Sequence, residues 1–189
     1  MLNIILASQS PRRKQLMEAA ELPFEVVVAD IDETNPPGMA AKEVPAHLAR
    51  QKAIKIAGQH PEELIIAADT VVLLDDEILG KPVDEADARA ILSKLAGRKH
   101  EVVTGVCMLS PGKEAVFSVL TEVYFRPLNA EQIAHYVTHY RPFDKAGAYA
   151  IQEWIGMVGI EKIVGDYYNV MGLPIGEVVK RIRSWGVQL

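Results

Sequence analysis

The chain has 189 residues, 49% of them hydrophobic and 24% charged, a balance that fits one globular domain with a sizeable core. Its net charge of −5 excludes a general nucleic-acid binder, which needs a basic surface, while leaving room for a small basic pocket. One cysteine, Cys107, excludes an intrachain disulfide framework, and no run is long and apolar enough to cross a membrane, the longest being interrupted by Asp69 and Thr70.

The chain starts Met-Leu-Asn-Ile-Ile, without the basic region and cleavage site of a signal peptide, so a cytoplasmic protein is expected. Asn3 to Ala7 is predicted as a short buried strand. Ser10 as N-cap and Pro11 at the first helical position then open a helix with Leu16, Met17 and Ala20 on one side. Phe24 to Ala29 is predicted as a second strand, followed by the acidic turn Asp30-Ile31-Asp32-Glu33 and the breaker Pro36-Pro37-Gly38. Apolar spacing predicts a helix over Val44 to Ala57, a strand over Leu64 to Leu74, and a tight turn at Asp75-Asp76-Glu77. Asp84 to Ala96 is predicted as a helix stopped by Gly97. Val102 to Leu109 and Ala115 to Phe125 are expected to form a hairpin around Pro111-Gly112. Asn129 and Gln132 have the spacing of a capping box for a helix reaching Tyr140. A polar loop from Arg141 to Glu153, a strand near Met157 to Val164 and a helix from Pro174 to Trp185 complete the reading. Helix crossovers combined with a hairpin give an α/β fold, a mixed twisted sheet flanked by helices, in a single domain spanning residues 1–189.

Several residues sit where structure alone would not place them. A helix start attracts anions, and the first one here adds the hydroxyls of Ser8 and Ser10 and the side chains of Arg12 and Arg13. Arginines in a first turn oppose the helix dipole, a conflict that a bound phosphate would resolve. An ordinary capped helix with solvated arginines is the plain alternative. Lys52 falls in the inward stripe Leu48, Ala49, Lys52, Ala53, Ile56, where it either snorkels to water or meets a functional partner. Asp69 lies in the apolar run Ile65 to Val72 and needs a cation, a metal or strong donors. If the strand ends at Ala68, Asp69 stands at its C-terminal end, where α/β folds place ligands. Lys81 lies on the stiff turn Leu79-Gly80-Lys81-Pro82. Asp30, Asp32 and Glu33 could hold Mg²⁺ or form a solvated turn. His135 and His139 are one helical turn apart with no third ligand near in sequence, which favours a surface or packing role, and Cys107 reads as core. The loop Asp144 to Gln152 is longer than a plain connection and contains glycine, as ligand-binding loops often do.

Together these segments resemble the Maf family of nucleotide pyrophosphatases. The likeness runs from Leu6-Ala7-Ser8-Gln9-Ser10-Pro11-Arg12-Arg13 through Ala49-Arg50-Gln51-Lys52-Ala53, Ala68-Asp69-Thr70-Val71-Val72, Gly80-Lys81-Pro82 and Thr104-Gly105-Val106 to Asp144-Lys145-Ala146-Gly147-Ala148-Tyr149-Ala150-Ile151-Gln152. It implies two lobes with a central cleft, as in inosine-triphosphatase-like folds, a divalent metal such as Mg²⁺ or Mn²⁺, and homodimers. It implies hydrolysis of nucleoside triphosphates to monophosphate and pyrophosphate, and the form of the last segment resembles the dTTP/UTP branch rather than the 7-methyl-GTP branch. By that resemblance Asp69 is the proton acceptor, and Asp69 and Glu33 are the metal-side carboxylates. Ser8, Arg13, Lys52 and Lys81 match phosphate-binding positions, and Arg12, Thr70 and Gln152 match positions that shape substrate choice. Glu153 follows the glutamine where a glycine is expected. Residue types alone would fit release of orthophosphate as well as pyrophosphate. Two alternatives stand beside this reading: a non-enzymatic, nucleotide-sensing regulator of cell division and septum formation, and a hydrolase that clears modified pyrimidine nucleotides. Neither implies nucleic-acid or membrane partners.

Overall fold

Aliphatic runs too continuous for a half-solvated strand form the centre of the sheet. The computed structural model describes residues 3–34 and 37–186. In it β1 (Ile4–Ala7) is buried throughout, and β3 (Leu64–Leu74) is buried everywhere except at Asp69 and Thr70. The two pair in parallel, Ile4 opposite Leu64 and Ala7 opposite Ala67. The two-residue strand β2 (Glu25–Val26) pairs in parallel with β1 on its other side. The tight turn at Asp75 and Asp76, both in the left-handed region, leads into β4 (Glu77–Leu79), antiparallel to β3. Gly112, with φ of 73°, closes the turn between β5 (Lys99–Ser110) and β6 (Lys113–Phe125). With β7 (Ile160–Val164) antiparallel to β6, the strand order is β2-β1-β3-β5-β6-β7, β4 pairing beside β3. This is the expected mixed sheet.

The helices are α1 (Pro11–Ala19), α2 (Val44–Ala57), α3 (Glu85–Leu95), α4 (Ala130–Tyr140), α5 (Trp154–Gly159), α6 (Tyr167–Met171) and α7 (Ile175–Ser184). Their starts follow the local chemistry. Asp84 accepts the Asp87 N–H, and Asn129 and Gln132 close the full capping box. None of the helices among the described residues is long and apolar enough to cross a membrane.

The chain divides into two compact units. The first contains residues 1–69, 104–119 and 172–189. Its core joins Ile5, Ala7, Ile65, Ala67 and Cys107 of the strands to Ala49, Ala53 and Ile56 of α2. Gly105 lets α2 approach β5 closely, since a Cβ there would stand 2.1 Å from the Ala46 nitrogen. The second unit contains residues 70–103 and 120–171, with Tyr136, Leu92 and Leu95 among its fully buried side chains.

Some elements differ from expectation. The predicted strand Phe24 to Ala29 shrinks to Glu25–Val26, because it lies at the sheet edge with Val26 and Val28 exposed to water. The strand expected near Met157 starts only at Ile160. Residues 154–159 turn as α5, whose Gly156 lies so close to the Ile151 carbonyl that a Cβ would be 1.8 Å away. Helix α6 was not anticipated, although Asp166 caps it by accepting the Tyr168 N–H. Of the predicted breaker, Pro37 and Gly38 form a turn with Gly38 at φ 77°, while Pro36 lies outside the described residues.

Candidate active site

Four separate segments of the first unit converge on two carboxylates and two cations. Ser10 is the N-cap of α1, as its extended backbone requires, but its side chain makes no cap bond. Ser8 does the local work instead. Its Oγ accepts the Ser10 N–H at 3.1 Å and the Arg13 Nη1 at 3.3 Å, and the residue is buried. Arg13 also donates through Nη1 to the Ala68 carbonyl and through Nε to the Gly172 carbonyl, each at 2.7 Å. Burial lowers its pKa, Asp69 and Glu33 oppose that shift, and neighbouring Arg12 adds to it. Arginine remains cationic even so. The solvated-arginine alternative therefore fails for Arg13: its guanidinium ties β3 and residue 172 to the start of α1.

Lys52 does not snorkel. It is buried with the rest of its stripe, Leu48, Ala49, Ala53 and Ile56. Its Nζ donates to Asp69 Oδ1 at 2.7 Å and stands 2.7 Å from Glu33 Oε1. An ammonium removed from water needs such partners, and two carboxylates compensate it fully. Asp69 is not at the end of its strand, since β3 continues to Leu74. The parallel pairing with β1 does end at Ala67, however, so Asp69 lies just beyond the C-terminal edge of that pair. Asp69 and Thr70 are also the two half-buried positions of β3.

Of the acidic turn only Glu33 joins the cluster. Asp32 accepts from the N–H and hydroxyl of Thr34, bonds that hold its carboxyl below the ordinary range, and Asp30 is exposed. Among the described residues no three His, Cys, Asp or Glu side chains gather as a metal cage. Asp69 and Glu33 nonetheless offer hard oxygen donors on either side of one ammonium. Two carboxylates suffice for a cation such as Mg²⁺, which takes the rest of its shell from water and phosphate. His135 and His139 stack with ring centroids 4.3 Å apart, and Trp154 packs against His135, so the pair has a packing role.

Arg12 is half-buried in the first turn of α1, in the first unit, whereas Thr70, Lys81 and Gln152 belong to the second. Thr70 follows Asp69 on β3. Lys81 is exposed on the turn after β4, which is held by the Gly147 N–H donating to the Gly80 carbonyl at 3.1 Å. The loop expected to be polar is mostly buried from Lys145 to Ile151, with one 3₁₀ turn at Ala146–Ala148. Gly147 is required there, with φ of 70° and a would-be Cβ 2.9 Å from the Val72 side chain. Tyr149 bonds His100 Nε2 through its hydroxyl at 2.7 Å and packs edge-on against Phe125. Gln152 is half-buried, and its Oε1 is buried without a hydrogen-bond partner among the described residues. A buried amide oxygen in that state is costly unless a ligand donor reaches it.

Sequence reasoning missed Gly172, whose carbonyl accepts from Arg13 Nε. Gly172 could have been suspected from a glycine just before the helix start at Pro174, and its φ of 115° requires that residue.

A family model for Maf-like proteins matches residues 3–185. The chain is 47% identical over 183 residues to a dTTP/UTP pyrophosphatase of Phocaeicola vulgatus, covering 96% of this chain and 95% of the relative. It is 46% identical over 182 residues to a dTTP/UTP pyrophosphatase of Cytophaga hutchinsonii, covering 96% and 84% respectively. A dITP/XTP pyrophosphatase structure from Mycobacterium abscessus is similar at 18% identity and a TM-score of 0.43, over 67% of this chain and 76% of that one.

Proposed function

The chain belongs to the Maf-like protein family, and from that premise we propose that it hydrolyses nucleoside triphosphates, dTTP and UTP ahead of others, to monophosphate and pyrophosphate. The observation that carries this reading is Lys52 held between Asp69 and Glu33, in the same unit as the Ser8–Arg13 start of α1. Phosphoryl transfer is mostly positioning and charge neutralisation around an activated water. The Lys52 ammonium fixes Asp69 through Oδ1, so the second carboxylate oxygen is the one to accept the proton of the attacking water. Lys52, Arg12 and Arg13 of the first unit supply positive charge for the phosphates. A divalent cation, Mg²⁺ or Mn²⁺, held by Asp69 and Glu33 would neutralise phosphate charge and polarise the phosphorus.

Base choice is assigned to Gln152, with Thr70 in the same unit. Uracil and thymine present an acceptor at O4 beside a donor at N3, which a glutamine amide matches with one donor and one acceptor. Among the described residues nothing donates to the buried Gln152 Oε1, and the N3–H would supply that donor. No observation favours the regulatory alternative. The family likeness also supports a homodimer, which sedimentation velocity would check.

The test uses purified protein with Mg²⁺ or Mn²⁺ and a panel of common and modified triphosphates, with pyrophosphate and orthophosphate measured separately. Turnover of dTTP and UTP with pyrophosphate release is expected, and Asp69→Asn should lower kcat by ~10²–10⁴ while nucleotide binding survives. Absence of turnover with every triphosphate would overturn the reading, and orthophosphate as the product would overturn the bond assignment.

A further inference from the structure

The Arg13 guanidinium is directed at oxygens from three segments of the first unit. Nε donates to the Gly172 carbonyl at 2.7 Å, and Nη1 donates to the Ala68 carbonyl at 2.7 Å and to Ser8 Oγ at 3.3 Å. The Ala68 bond is the one that bears on the chemistry. Pairing of β1 with β3 stops at Ala7 and Ala67, and the next carbonyl of β3 takes its donor from this side chain. Core packing also loosens there, since Asp69 and Thr70 are the half-buried positions of the strand. A peptide unit is planar, so a bond that restrains the Ala68 oxygen restrains the Asp69 Cα at the other end of the same plane. The Asp69 side chain is held separately at its tip, where Lys52 Nζ donates to Oδ1 at 2.7 Å. Arg13 also stands in the field of that carboxylate: burial lowers its pKa, and Asp69 is the largest charge opposing the shift.

We propose that Arg13 is a positioning residue for Asp69, setting where the proton acceptor stands by holding the Ala68–Asp69 peptide. This inference rests on the reading that Asp69 accepts the proton of the attacking water. The charge that Arg13 lends to the phosphates and its placing of Asp69 are separable. Charge needs only a cation at this position. Placing needs one group that reaches the Ala68 carbonyl, the Gly172 carbonyl and Ser8 Oγ together. A planar guanidinium with donors in fixed directions does this, and an ammonium on a flexible stem does not. A catalytic group displaced by about 1 Å can cost ~10²-fold in rate, and a loss of that kind falls on the chemical step rather than on nucleotide binding.

The test measures kcat and KM for UTP with Mg²⁺ in wild type, Arg13→Lys, Asp69→Asn and the double variant, alongside melting curves. Arg13→Lys keeps the charge and should lower kcat by ~10–10²-fold while KM stays within about twofold. In the Asp69→Asn background the same substitution should change kcat by less than about twofold, because the carboxylate it placed is gone. A raised KM with kcat retained would make Arg13 a phosphate contact only, and an equal fall of kcat in both backgrounds would make it merely structural. Either result overturns the proposal. An Asp69→Asn variant as active as wild type would overturn the proton-acceptor reading, and this proposal with it. Should Arg13→Lys fail to fold, Ser8→Ala removes one of the three acceptors and goes through the same two backgrounds. It should lower kcat only where Asp69 is present, an equal fall in both again being the contrary result.

Discussion

His100 makes stability depend on acid in a way that can be worked from the structure. The ring is buried between Phe125 and Tyr149, with centroids 5.0 and 5.5 Å away. Nε2 pairs with the Tyr149 hydroxyl, but Nδ1 is buried without a partner among the described residues. Protonation would bury a charge in an apolar setting and leave the Nδ1 end without an acceptor. Burial accordingly lowers the His100 pKa to about 3, from an ordinary 6.5. A group whose folded pKa is depressed binds its proton more readily in the unfolded chain. Its contribution is therefore complete above about pH 6.5 and is lost progressively as pH falls toward about 3. The full difference corresponds to about 5 kcal/mol, and the part lost between about pH 7 and pH 5 is about 2 kcal/mol. Urea unfolding of wild type and His100→Phe at both pH values measures it, since other titrating groups cancel in the comparison. The variant should lose about 2 kcal/mol less than wild type over that interval. Equal losses in the two proteins would refute a neutral, buried His100. The consequence reaches the site, because Tyr149 belongs to the loop that carries Gln152.

Lys52→Met keeps the stem and removes the charge shared by Asp69 and Glu33, so steady-state kinetics with UTP should show kcat reduced by ~10²–10³; a loss of only a few-fold would remove Lys52 from the reaction. Gly105→Ala would drive a methyl group into the Pro45–Ala46 backbone, and urea unfolding should show destabilisation at or above the upper end of ~1–3 kcal/mol, an unchanged midpoint being the contrary result. Cys107 is buried, and burial pushes its thiol up to about 12, so it should resist a thiol reagent at about pH 8 until the protein is unfolded.

What could be read from the sequence was whatever local chemistry decides. The bounds of α2, the capping box of α4 and the run of β3 follow from apolar periodicity and from polar groups satisfied within three residues. Elements decided by distant contacts were misread. Residues 154–159 form a helix where Gly156, lacking a Cβ, lets the Ile151 carbonyl pack closely against it, and no spacing in the sequence announces that contact. The same division holds in the site. Lys52 and Asp69 stood out because each was a charge in an apolar pattern. That Glu33, rather than Asp32 or Asp30, is the acid that reaches Lys52 depends on the path of an irregular loop; residue type alone does not separate the three, and only the family resemblance points to Glu33. The composition of Arg141 to Glu153 reads as a polar loop, although most of its residues from Lys145 to Ile151 are buried.

The pairing of Lys52 with Asp69 and Glu33 also bears on why such costly residues are placed there. A lysine on the buried face of α2 and an aspartate in β3 each require removal of a charge from water, and their attraction roughly restores that loss. An apolar pair of similar volume would hold the helix on the strand at least as well. Stability therefore does not account for the arrangement. What an apolar pair could not provide is a cation fixed between two carboxylates, in the same unit as a helix start where Ser8 and Arg13 are already locked in place. Asp69 and Thr70 are also the half-buried interruption in a strand buried elsewhere along its length, so the carboxylate is held rigidly yet not sealed from solvent. A charged group that is fixed, compensated and still reachable meets the requirements of a proton acceptor, and a structural ion pair has no need of the last of these properties.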